Sequence, residues 1–160
     1  MKRKVVVIIL LIFLIGLYTI ASTYSIIIEV TENKGENNIV SKITPRDIFI
    51  DSDGNYNTLY YDVRNELQIT EEEANILMDS SYINDKLQIV LQSIVDYKVD
   101  NDIEAKLSND EVYNMIEEAI ERTEGLTEET KTKIINKSNI YKNDISNYLY
   151  DFDVSIIEGQ

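Results

Sequence analysis

The chain has no cysteine and no histidine among its 160 residues. Without cysteine there is no disulfide, no thiolate metal site, no cysteine nucleophile and no lipid-modified cysteine. Without histidine the commonest general base, the commonest zinc ligand and any Ser-His-Asp triad are excluded, together with a histidine-based pH switch. Basic residues are scarce and unevenly placed. Three of the fifteen are Lys2, Arg3 and Lys4, and no acid precedes Glu29, so from Glu29 onward 29 acids face 12 bases. A surface of that sign repels nucleic acid and anionic lipid, and it favours cations or basic partners. The same charge also serves to keep a small domain soluble.

What is present begins with a long apolar run. Val5 to Ile28 carries no charge. At helical rise it spans roughly 36 Å, against a hydrocarbon core of about 30 Å. The spacing predicts a transmembrane anchor over 5–28, with Val5, Ile8, Leu10, Phe13, Leu17, Ile20 and Ile28 among its residues. Lys2, Arg3 and Lys4 set the topology: the basic tip, residues 1–4, stays cytoplasmic and the remainder is extracytoplasmic. A signal peptide cleaved near Ala21, giving a secreted protein, is the competing reading. The run is longer than the ~7–15 residues of a signal's apolar region and resumes at Ile26, Ile27 and Ile28, which favours the uncleaved anchor. Either reading exports residues 30–160.

Residues 29–43 are polar and read as a linker. The rest, 44–160, has helical period. The only proline, Pro45, follows Thr44 and precedes Asp47, a short helix start before a turn cluster at Asp51 to Asn55. Leu59, Tyr60, Val63 and Leu67 share a face. Thr70 with Glu73, and Ser108 with Glu111, are capping boxes. Ser80 and Ser81 break one helix and cap the next, whose stripe is Ile83, Leu87, Val90, Leu91, Ile94 and Tyr97. Gly125 sits at a helix C-terminus and Thr127 opens a last helix that runs toward Asp153. The short turn between these two helices makes them antiparallel neighbours. The fold expected is all-α: an N-terminal transmembrane helix followed by a small bundle of four or five helices.

One segment has ligand-like spacing. In Asp51 to Asp62, the residues Asp51, Asp53, Asn55 and Asp62 fall at positions 1, 3, 5 and 12 of a calcium loop of the EF-hand kind. The glycine such a loop needs at position 6 stands at position 4, as Gly54, which favours a simple turn before a helix. Asp100, Asp102 and Glu104 read as a solvated loop. Of the eleven tyrosines, Tyr97, Tyr141 and Tyr148 fall on core stripes, and Tyr60, Tyr61, Tyr113 and Tyr150 are expected to be partly exposed, where tyrosine favours protein or sugar contact. Two carboxylates can hydrolyse glycosides without histidine, but nothing in the sequence marks any pair among 29 acids as buried or coupled. The function expected is therefore non-enzymatic and without a cofactor. The bilayer is the partner of residues 5–28, and an envelope or surface protein is the partner of the helical domain. A calcium-dependent extracellular module is the second reading and a cell-wall hydrolase the third. Richness in isoleucine, asparagine and lysine suits an A+T-rich bacterial genome, which with the export reading places the domain at a bacterial cell envelope.

Overall fold

Thr44, Pro45 and Asp47 open the helical part as their spacing predicts. The Asp47 carboxylate accepts from the Thr44 amide at 2.7 Å and from its hydroxyl at 2.8 Å, starting α1 at Pro45–Phe49. The computed structural model describes residues 28–32, 39–40, 44–150 and 154–158. After α1 come α2 (Thr58–Leu67), α3 (Glu71–Asp79), α4 (Ser81–Lys98), α5 (Asn109–Arg122), α6 (Glu128–Ile140) and α7 (Ile145–Leu149), with 3-10 turns at Ile103–Ala105 and Lys142–Asp144. Five of these helices have nine residues or more, so the expected helical bundle is present.

Local chemistry sets most of the boundaries. Thr70 and Glu73 form a capping box before α3, and Ser108 and Glu111 form one before α5. Ser80 ends α3 in an extended conformation and at once caps α4, accepting the Ile83 amide. Gln68, left-handed at φ 54°, ends α2. The side chains of Lys133 and Lys137, one turn apart on α6, donate to the carbonyls of Gln68 and Glu66. They place positive charge at the negative end of the α2 dipole.

Two expectations about helix ends need correction. Gly125 is not the residue that stops α5. Thr123 does so in an extended conformation, and Gly125 at φ 88° is the left-handed residue of the following turn. A Cβ there would lie 3.2 Å from Ile76 Cδ1. The last helix does not run to Asp153. It breaks at Tyr141, whose φ of −104° and ψ of 4° leave the helical region. Asn109 of α5 compensates the break, because its amide donates to the Asn143 carbonyl at 2.9 Å and its oxygen accepts the Ser146 amide at 2.7 Å.

The core centres on α4. Ile83, Leu87, Val90, Leu91 and Ile94 are all buried, as the stripe predicts, Tyr97 is partly buried, and Val95, outside that stripe, is buried as well. Val112, Ile116, Ala119 and Ile120 of α5 and Ile134 of α6 close over it from one side, and Leu59, Tyr60, Val63, Leu67, Leu77 and Met78 of α2 and α3 complete it. Burial of each large apolar side chain contributes roughly 1.5–3 kcal/mol. α4 packs on α5 and α5 on α6, and the short turn between α5 and α6 makes that pair antiparallel.

The segments flanking the helices add a small sheet that the all-α reading omits. Its strands are β1 (Ile28–Glu32), β2 (Ile39–Val40) and β3 (Val154–Glu158), in the order β2-β1-β3. β1 pairs antiparallel with β2 and parallel with β3, with Ile28 opposite Val154 and Glu32 opposite Glu158. Both longer strands are rich in β-branched residues, IEVTE and VSIIE, the composition strands favour. The stretch read as a polar linker therefore holds β1 after its first residue, and β2, which lies against α4. The segment 5–27, read as the anchor, lies outside the described residues. Ile28, the last residue of the predicted 5–28 anchor, opens β1. Among the described residues no helix is long and apolar enough to cross a membrane.

Candidate interaction surface

α4 has a second face. Gln88, Ile89, Gln92, Ser93 and Asp96 recur at helical spacing on the side away from the core stripe. Together with Ala105 of the first 3-10 turn they line an open groove of about 490 Å³. Ile89 is 46% exposed there, an apolar residue outside the core. The Gln92 side-chain amide donates to Asp96 at 2.6 Å, so the polar members are themselves held in place.

The far wall of the groove is the segment after α4. Asn101 turns it with φ 58°, the Asp102 amide donates back to the Asp96 carbonyl, and the Asp102 carboxylate caps the Glu104 amide at 3.0 Å. Tyr150, just past α7, then pins this segment to α4. The Ser93 hydroxyl donates to the Ala105 carbonyl at 2.6 Å, so at the 2.5 Å contact between Ser93 and Tyr150 the proton comes from the phenol. The phenol oxygen in turn accepts the Leu107 amide at 2.7 Å. The result is a chain of donors from Leu107 through Tyr150 and Ser93 to Ala105. The Tyr150 ring meets Tyr97 edge-on at 4.8 Å, and the Lys106 ammonium sits 5.1 Å and 5.2 Å from the two ring centres. Burial pushes the Tyr150 phenol above its ordinary pKa, against the pull of its bonds to Ser93 and Leu107. It therefore stays neutral and able to donate.

A second opening, about 470 Å³, lies at the other end of the bundle between Ile76, Asp79, Ser80, Ser81, Tyr82, Thr123 and Glu124. At its base Thr123 donates its hydroxyl to the Ala119 carbonyl at 2.7 Å. Ser80 therefore donates to Thr123, also at 2.7 Å, while accepting the Ile83 amide. Arg46 reaches from α1 to clamp Asp79 with two bonds of 2.5 Å and 2.7 Å.

The calcium-loop residues are placed differently from an EF-hand loop. Asp51 uses one carboxylate oxygen to accept the amides of Asp53, at 3.0 Å, and Asn55, at 2.9 Å. Its own amide bonds the Asn55 carbonyl, and a bridge between Ile50 and Tyr56 closes the turn, with Gly54 at φ 83°. Asn57, within the same stretch, caps α2 with its side chain. Asp62 is exposed within α2. Among the described residues no group of three or more acids, histidines or cysteines is arranged to hold a metal ion.

The tyrosine expectations divide. Tyr61 is exposed and Tyr113 is partly buried, but Tyr60 and Tyr150 are in the core at 1% and 8% exposure. Tyr60 stacks on Tyr56 at 3.9 Å and meets Phe49 edge-on, and its buried hydroxyl finds no hydrogen-bond partner among the described residues. Ser93 and Ala105 were not foreseen as members of a surface, and Tyr150, expected at an exposed contact, is instead buried behind the groove. Ile89, off the stripe of its own helix, is the signal that could have found it. Compared with known protein families, with characterised proteins and with solved structures, the chain matches none.

Proposed function

We propose that the chain is a single-pass membrane protein, anchored by residues 5–28 with its basic tip in the cytoplasm, whose helical domain is a non-enzymatic binding module for another envelope or surface protein. The groove on α4 carries this reading. It combines an exposed isoleucine with ordered polar groups and an acid, the mixture that a partner helix with apolar and basic residues would match. The uncharged run of Val5 to Ile28 behind three bases supports the anchor. The test is site-specific photo-crosslinking of the full chain in its own membrane. A crosslinking residue in place of Ile89 should give one discrete adduct that is absent when the same residue replaces Glu129. Equal labelling at both positions would reject the groove as the binding face.

A further inference from the structure

We infer that the end of the bundle carrying Ile103 and Ile140 rests on the bilayer surface, so that the domain lies against the membrane and is not held away from it. The inference depends on the anchor reading and adds an orientation to it.

The first observation is where the chain leaves the apolar run. Ile28 is both the last residue of that run and the first of β1, so no spacer separates the two. Its ladder partner is Val154, about 4.8 Å away across the strands. Val154 follows Tyr150 by four residues, a separation of at most about 14 Å. Tyr150 bonds Ser93, in the last third of α4, and Leu107, just before α5 begins, so it sits toward the end of the bundle where α4 finishes. The chain then reaches α1, where Arg46 clamps Asp79 beside the opposite end. α4 alone separates the two ends by about 27 Å. The apolar run therefore delivers the domain with its Tyr150 end nearest the bilayer.

The second observation is independent of the strands. Ile103, at 78%, and Ile140, at 72%, are the most exposed large apolar side chains among the described residues. Both belong to this same end. Ile103 follows α4 in the 3-10 turn, and Ile140 closes α6 beside the Tyr141 to Ser146 segment that Asn109 holds against α5. Two isoleucines projecting from the membrane-proximal end are suited to the interfacial layer of a bilayer, where apolar side chains leave water. Asp100, Asp102 and Glu104 on the same loop restrict the match to a zwitterionic surface. Lys142 is paired with Asp110 and Lys106 sits over the Tyr97 and Tyr150 rings, so neither offers a strong attraction for anionic lipid.

The absence of cysteine makes the test direct. The full chain is reconstituted into phosphatidylcholine vesicles as Ile103→Cys, Ile140→Cys or Glu124→Cys, and each thiol carries a spin label. Accessibility to oxygen, which concentrates in lipid, is compared with accessibility to a water-soluble nickel chelate. The expected result is an oxygen-to-nickel ratio several-fold higher at 103 and 140 than at 124, and a fall in that ratio when anionic lipid is added. A ratio at 103 and 140 equal to that at 124, in protein that floats with the vesicles, would overturn the orientation and leave the anchor standing. Shielding of 103 and 140 from both reagents would also overturn it, in favour of contact between copies of the chain. Protein that fails to float with the vesicles would overturn anchor and orientation together.

Discussion

The two ends of the bundle are tied by the same device built from different parts. At one end the Ile83 amide donates to Ser80, Ser80 to Thr123, and Thr123 to the Ala119 carbonyl. At the other the Leu107 amide donates to Tyr150, Tyr150 to Ser93, and Ser93 to the Ala105 carbonyl. Each is a run of hydroxyls closed by a backbone donor and a backbone acceptor, so no buried polar group in it is left over. They differ in redundancy. Ala119 also accepts the Thr123 amide, and Ser80 already serves as a helix cap, so the first relay is laid over bonds that helix ends make anyway. The second has no such support: the Leu107 amide depends on the phenol of a residue 43 positions away. A relay made of helix caps should fail gradually, and one hung on a single distant side chain should fail at once.

Three substitutions sharpen that contrast. Tyr150→Ala removes the ring and the relay together and should cost about 3–5 kcal/mol, the range for truncating a buried aromatic side chain. Hydrogen exchange should show residues 99–107 opening along with it. Tyr150→Phe keeps the ring against Tyr97, strands the Leu107 amide and takes the donor from the Ser93 oxygen. It should cost about 1–3 kcal/mol in urea unfolding, the penalty for a buried group left unmade. Thr123→Val is the matching change at the other end. It should cost less, about 0.5–1.5 kcal/mol, because the backbone groups of Ala119 and Ile83 keep partners and only the rotatable Ser80 hydroxyl loses its acceptor. A Thr123→Val penalty as large as that of Tyr150→Phe would dissolve the distinction between the two ends.

The same contrast explains what could be read from the sequence. Thr44, Thr70, Ser80 and Ser108 are legible because a cap is decided within four residues, and their helices began where the spacing said. The stripe of α4 was legible because a buried face repeats with the helical period. Tyr150 and Tyr60 were misjudged because their burial depends on residues far along the chain. β1 and β3 were missed for a related reason. Each is a five-residue segment whose only long partner lies 126 positions away by their register, and Ile28 had already been absorbed into the apolar run. The Tyr141 break was hidden because Asn109, on another helix, compensates it. Of the groove, only the off-stripe position of Ile89 was visible. Its far wall is placed by Asn101, Asp102 and Tyr150 through contacts that no local pattern encodes.

The smallest expected effect comes from acid. Glu73 and Glu111 occupy the same position of two capping boxes, and both carboxyls are held below their ordinary value of 4.5. For Glu111 the causes are local, the amide and hydroxyl of Ser108. For Glu73 the largest cause is the Thr130 hydroxyl of α6, followed by the amide of Thr70, so one carboxylate caps α3 and joins it to the start of α6. A depressed folded pKa means that the unfolded chain takes up protons first as pH falls. The contribution of each group is thus complete above pH 4.5 and is lost as pH drops through the lower folded value. Glu73→Gln should flatten the loss of stability between neutral pH and that window more than Glu111→Gln does, because it removes a bond between two helices and not only a cap. Melting temperatures of the two variants across that range decide the matter. Equal flattening would mean that the Thr130 bond adds nothing to the box, and that this end of the bundle, too, is held together by its caps alone.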